Sequence, residues 1–304
     1  MKKYKILMFH TEGLNEGQIR DEFHIRDAFK ELGHEVFTND VSKLKEVDLI
    51  LAFKSNTFGV NEIERWKENS KAPVWIWTFD NCDRFPWVYD LFKKCDLWLG
   101  EELGRAERFK QEDINFYYFP NHAVNPEYFY PVEFDGKKEY EIMFTGTPYF
   151  EERTQMLRTI KDIGRDLHIF GNNPDGWRNQ GFENVHGPVF DKELSEAISK
   201  SKIVVGISNT NCYGYWSIRP AQVMLCKGFM IDKYVLGMER ELRDGCEYWN
   251  THEELTEKIL YYLEHEDERN TIAQRGYEIA ITTLTNKSRC AELIKLFENY
   301  GKQN

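Results

Sequence analysis

The chain reads as an α/β protein built from two similar units with mostly parallel sheets. Short apolar runs alternate with helical periodicity from Tyr4 to Phe119. The same alternation starts again at Tyr140, after a polar stretch with prolines at 120, 126 and 131. From Thr251 onward only helical patterns remain. Consecutive parallel strands need a crossover, so repeated strand and helix segments imply parallel pairing with helices on both faces. Functional loops are then expected beyond the carboxyl ends of the strands.

In the first unit, Tyr4 to Phe9 reads as a strand, Asp21 to Leu32 as a helix stopped at Gly33, and Glu35 to Phe37 as a short second strand. Asp48 to Phe53 follows, then a helix at Asn61 to Asn69 and the apolar strand Pro73 to Phe79. Asp96 to Leu99, a helix at Glu101 to Lys110 and Asn115 to Phe119 keep the same order. The turn-rich segment from Pro120 to Tyr140 is the expected linker.

The second series opens at Tyr140 to Phe144 and passes through TGTPYFEER to a helix ending near Asp162. Strands are expected at Leu167 to Phe170, before GNNPDG, and at Asn184 to His186, before Gly187 and Pro188. A helix at Glu193 to Ser199 leads to strands at Lys202 to Ile207, Phe229 to Asp232 and Tyr248 to Asn250. Amphipathic helices at Glu253 to Leu263, Asp267 to Ile279 and Lys287 to Tyr300 close the chain. Two such units imply a cleft between domains.

Composition narrows the function. The 304 residues, 41% hydrophobic and 15% aromatic, belong to a folded protein, and the length suits two domains. A formal charge of −11 argues against nucleic acid or an acidic membrane as the main partner. No run approaches the roughly 20 apolar residues that span a bilayer, and the start MKKYKILMFH is better read as a buried strand than as a signal peptide. Cysteines at 82, 95, 212, 226, 246 and 290 are too scattered for a CxxC-type metal site. They fit isolated thiols in a reducing cytoplasm, the expected location.

The most informative segment is Tyr213 to Lys227, YGYWSIRPAQVMLCK. It reads as a turn feeding a helix, with Ser217 as the cap and Arg219 in the first turn. Orphan helix N–H groups and one guanidinium would then face the same region, which suits a diphosphate. Ordinary capping chemistry is the competing account of the same residues.

Several stretches in this order resemble the GT-B glycosyltransferases, specifically the branch related to spore-maturation CgeB proteins and the wider retaining group 1 glycosyl transferases. They are VWIWTFDN, YYFPNHAVNPEYFYP, EIMFTGTPYFEERTQML, VHGPVFDKELSEAISKSKIVVGIS, SIRPAQVMLCKGF and LTEKILYYLEHEDERNTIAQRG. The resemblance implies two Rossmann-like domains facing a cleft. Residues 1–130 would form an acceptor domain and residues 131–285 a donor domain, while the helix in 286–304 would return to the first. It implies a nucleotide-diphosphate sugar as co-substrate, with a UDP-sugar as the default, no tightly bound cofactor and no required metal. The acceptor would be a glycan, small molecule or protein. Gly146 and Thr147 would lie near the diphosphate, and Arg153 and Arg219 would supply positive charge. Gly187, Pro188 and Val189 would border the nucleobase, while Ser217, Ile218 and Gln222 would complete the donor site. Two positions depart from the family pattern: Gln222 replaces a carboxylate that holds the ribose, and Gly214 stands where a second carboxylate helps hold the sugar.

Glycosyl transfer needs a stabilised phosphate leaving group and an acceptor hydroxyl that loses its proton. In a retaining relative the departing phosphate takes that proton. In an inverting enzyme Asp80, His10 or His122 would be eligible bases, with Asp80 favoured by its place after VWIWTF. Two rivals stay open. A metal-dependent enzyme could use Asp80 and Asp83 as oxygen ligands, although their spacing is not a close DxD pair. A noncatalytic sugar-nucleotide binder or assembly protein would fit Gly214, Gln222 and the aromatic run Tyr213, Tyr215 and Trp216.

Overall fold

A computed structural model describes residues 2–11, 21–53, 58–79, 88–134 and 137–300. The chain divides into two compact units, one of residues 1–121, 212–215 and 286–304 and the other of 122–211 and 216–285.

The first unit contains β1 (Lys5–Phe9), α1 (Asp21–Glu31), β2 (Glu35–Thr38), β3 (Leu49–Phe53), α2 (Val60–Asn69), β4 (Val74–Trp77), α3 (Val88–Lys94), β5 (Leu97–Gly100), α4 (Ala106–Gln111) and β6 (Phe116–Tyr118). Its strands run parallel in the order β2-β1-β3-β4-β5-β6. β3, β4 and β5 are buried along their whole length, as central strands covered on both faces must be, so they read as unbroken apolar runs. On one face, Trp66 of α2 stacks on Phe9 at 4.0 Å. The expected helix at Glu101 to Lys110 is instead a short 3-10 turn, Leu103–Arg105, followed by α4. Glu101 is withheld from it, since its buried carboxylate accepts the Asn121 N–H. α3 was not expected from the sequence.

The second unit contains β7 (Tyr140–Thr145), α5 (Glu151–Asp162), β8 (Leu167–Phe170), α6 (Pro174–Arg178), β9 (Val185–His186), α7 (Asp191–Ser199), β10 (Ser201–Gly206), α8 (Arg219–Leu225), β11 (Met230–Lys233), α9 (Glu239–Leu242), β12 (Glu247–Trp249), α10 (His252–Glu264) and α11 (Glu266–Thr283). Its parallel order is β12-β11-β10-β7-β8-β9. The stretch GNNPDG contains the start of α6, a helix not expected from the sequence, where Asn173 takes a left-handed conformation and accepts the Gly176 N–H. The Thr251 hydroxyl caps α10 by accepting the Glu254 N–H.

A last helix, α12 (Asn286–Tyr300), packs on the first unit beside α1. Cys290, Leu293 and Ile294 sit in the core formed with Ile6, Phe29 and Trp75, and Phe297 and Tyr300 meet Trp75 edge-on. Both units are thus Rossmann-like layers of parallel sheet and helix. Among the described residues, no helix is long and apolar enough to cross a membrane.

Candidate donor site in the second unit

In the second sheet the chain leaves β7 towards β8 on one side, while β10 lies on the other. The carboxyl ends of β7 and β10 therefore border the topological switch point, where open parallel sheets bind ligands. The loop after β7 carries Gly146 and Thr147, and the loop after β10 carries Ile207, Ser208 and Asn209.

Arg153 ties these two loops together. It lies in the first turn of α5, only 4% exposed. Nη1 donates to the Thr147 carbonyl at 2.8 Å and to its hydroxyl at 3.3 Å, and Nη2 donates to Asn209 Oδ1 at 2.8 Å. The guanidinium carbon lies 5.7 Å from the Phe144 ring centre and 5.0 Å from that of Phe150. Arg153 is therefore a buried, bonded group and not part of the solvated face of α5. Arg219, half-buried, stands 5.6 Å from the same Phe144 ring, so one aromatic side chain carries both guanidinium groups. Its Nη1 donates to the Ile207 carbonyl and the Ser217 hydroxyl, each at 3.3 Å.

The structure corrects the role expected of Ser217. α8 begins at Arg219 with Ile218 at the N-cap, and no side chain caps it. The Ser217 N–H instead donates to Ser208 Oγ at 3.1 Å, and its hydroxyl is taken by Arg219. The serine fastens the segment before α8 to the loop after β10. Gln222, one turn into α8, is buried.

Gly146 is explained by close approach. Its N–H donates to the Phe170 carbonyl and its carbonyl accepts the Trp177 indole N–H, so its polar groups are held within the fold. A Cβ there would lie 2.8 Å from the Phe144 ring, and one on Gly171 would collide with the Gly146 carbonyl. Gly171→Ala is expected to cost about 1 to 3 kcal/mol through overpacking. A melting temperature equal to wild type would contradict this contact.

The other candidates are dispersed. Gly187 and Pro188 are exposed after β9, two strands from β7, while Val189 packs on the core. Gly214 belongs to the first unit, with φ +87°, and its carbonyl accepts the Tyr118 hydroxyl. A Cβ there would stand 2.8 Å from Leu103 Cβ and 3.0 Å from the Tyr118 ring, so backbone and packing both demand glycine. His10, at the end of β1, is buried, with Nδ1 2.9 Å from the Thr11 carbonyl and Phe23 edge-on to the ring. His122 is buried in the second unit with its ring centre 3.7 Å from that of Trp216. Asp80 and Asp83 lie outside the described residues. Among the described residues no cluster of three His, Cys, Asp or Glu side chains is arranged to hold a metal ion.

Asp232 was missed from the sequence. It ends the run FMID and lies in register with Gly206 of β10 and Tyr248 of β12. It is fully buried, and burial pushes its carboxyl up to about 7 while the Arg219 guanidinium pulls it down. A lone acid after an apolar run was the available signal.

Comparisons with known proteins agree with this architecture. Residues 153–295 match a family described as glycosyl transferase-like. Among solved structures, sucrose-phosphate synthase from Thermosynechococcus elongatus is similar at TM-score 0.70 and 11% identity, over 99% of this chain and all of that one. A glycosyltransferase from Rickettsia africae ESF-5 gives TM-score 0.70 and 11% identity over the whole of both chains. Anabaena Alr3699/HepE, solved in complex with UDP and glucose, gives TM-score 0.67 and 14% identity over 97% of this chain and all of that one. A search of curated proteins finds no match. These similarities place the chain in the GT-B fold.

Proposed function

We propose that the chain is a glycosyltransferase that binds a nucleotide-diphosphate sugar in its second unit and transfers the sugar to an acceptor hydroxyl. The observation that carries this reading is the pair Arg153 and Arg219 around Phe144 at the switch point. The match of residues 153–295 to a glycosyl transferase-like family supports it. Arg219 is the more accessible cation and would contact the diphosphate, while Arg153 would hold Thr147 and Asn209 against it. Positive charge fixed there opposes the charge that builds on the leaving phosphate, and needs no reorganisation during reaction.

In this reading Gly187, Pro188 and Val189 border the base, and Ser217, Ile218 and Gln222 border the ribose and phosphates. Gln222 can donate and accept, so it can bond ribose hydroxyls without a charge. The donor is a UDP-sugar, supported by the UDP and glucose complex of HepE. Transfer is retaining and independent of metal, with the acceptor proton passing to the departing phosphate. The first unit supplies the acceptor side. The free thiols at Cys95, Cys212, Cys226, Cys246 and Cys290 fit a cytoplasmic setting.

Screening UDP- and GDP-sugars with chelator present tests the reading. Transfer or slow hydrolysis of one donor is expected. Binding without either would favour the noncatalytic binder suggested by Gly214 and Gln222, and a strict metal requirement would favour the Asp80 and Asp83 alternative. Asp80→Asn separates the remaining possibilities. Retained anomeric configuration together with a severe loss of turnover would assign Asp80 to acceptor positioning, whereas an inverted product would make it the base.

A further inference from the structure

We propose that His186 reads the base of the bound nucleotide. Its Nδ1 is a fixed hydrogen-bond acceptor for the ring N–H that uracil and guanine carry and that cytosine and adenine lack. Asp166 and His168 are the positioning residues that fix it. This inference rests on the donor site proposed above.

The sheet register places His186 on the row of residues that leads to that site. It ends β9 opposite Phe170, which ends β8 opposite Thr145, the last residue of β7 before Gly146 and Thr147. Two strand spacings, about 10 Å, separate β9 from β7. A nucleoside that extends from a diphosphate at the β7 loop, across the carboxyl ends of these strands, covers that distance. The His186 imidazole is half-buried and stacks on the Phe170 ring, with centres 4.4 Å apart and planes 16° from parallel, so its orientation is held.

A chain of hydrogen bonds sets the protons on this ring. His186 Nε2 lies 2.8 Å from His168 Nδ1, and His168 Nε2 lies 3.0 Å from Asp166 Oδ2. The carboxylate can only accept, so the His168 proton sits on Nε2 and its Nδ1 presents a lone pair. The His186 proton then sits on Nε2 and donates to that lone pair, which leaves His186 Nδ1 as an acceptor. Among the described residues no protein group bonds that nitrogen. Asp166 is itself held, since Oδ1 accepts from Asn184 Nδ2 at 2.9 Å. The Tyr140 ring of β7 covers His168, with centres 4.6 Å apart. The surroundings also oppose a second proton on His186, because burial, His168 and the Arg178 guanidinium all lower its pKa. Arg178 is fixed nearby by its bond to the Val185 carbonyl at 2.9 Å.

An acceptor at this place takes the N3–H of uracil or the N1–H of guanine. Cytosine N3 and adenine N1 are lone pairs and would leave His186 Nδ1 facing a second acceptor, so neither group is satisfied.

Calorimetric titration with UDP against CDP, and with GDP against ADP as a second pair, tests this at pH 8, above the ordinary titration range of imidazole. The members of each pair share ribose and diphosphate and differ only in the base. Wild type is expected to bind UDP about tenfold tighter than CDP, or more, or to favour GDP over ADP to that extent. His186→Phe keeps a stacking ring without the acceptor and should bring the two affinities together by weakening the favoured nucleotide alone. Asp166→Asn should also narrow the ratio, because an amide can donate to His168 Nε2, which turns the chain over and puts a proton on His186 Nδ1. A purely structural role for Asp166 would change both affinities alike or neither. Wild type that binds nucleotide but shows no such preference in either pair would overturn the proposal while leaving the donor site standing, and needs no variant to fold. An unchanged ratio in either folded variant would overturn it as well. Failure of wild type to bind any of these nucleotides would overturn both.

Discussion

Arg219→Ala is expected to weaken nucleotide-diphosphate-sugar binding by about 1.5 to 3 kcal/mol, the size of a charge-assisted hydrogen bond. That corresponds to roughly 10- to 150-fold in dissociation constant. Folding should be affected less, because the side chain is half-buried and its bonds to Ile207 and Ser217 are long. The variant also removes the cation that acts on Asp232, whose carboxyl then moves further above about 7. The sign follows from linkage. An aspartate raised in the folded state, against about 3.9 unfolded, contributes stability that is present at low pH and is lost as pH rises through its folded value. Arg219→Ala should therefore lose more stability than wild type between pH 5 and pH 8. Donor affinity equal to wild type in a folded variant would contradict the role given to Arg219.

Removing α12 by truncation after Thr285 should unfold the first unit. Leu293 and Ile294 are fully buried, and burying such side chains contributes about 1.5 to 3 kcal/mol each. Cys290 and the edge-on contacts of Phe297 and Tyr300 with Trp75 are lost with them. The total approaches the roughly 5 to 15 kcal/mol that stabilises a whole domain. Tryptophan fluorescence and limited proteolysis would show Trp75 exposed and the first 121 residues degraded. A truncated chain with two intact cooperative melts would contradict the packing.

The parallel sheets were legible because central strands such as LILAF and VWIW are apolar without alternation. α3 was not, since its residues follow FPW and combine dense apolar character with few turns of helix. The candidate site was legible in outline only. GTP after β7 and SIRP across the start of α8 mark the two segments, and the structure brings both to the switch point. Partners within the site were not legible, because they depend on loops 56 residues apart in sequence, as with Arg153 and Asn209. Gly214 shows the opposite problem. A family comparison presents it as a missing carboxylate, whereas its positive φ and contacts with Leu103 and Tyr118 explain the glycine from the fold.

The most direct test is a crystal structure of the chain with UDP-glucose. The diphosphate is expected in the second unit between Thr147, Asn209 and Arg219, with a phosphate oxygen accepting from the Arg219 guanidinium. A diphosphate bound away from the ends of β7 and β10, with the Arg219 bonds to Ile207 and Ser217 unchanged, would contradict the account.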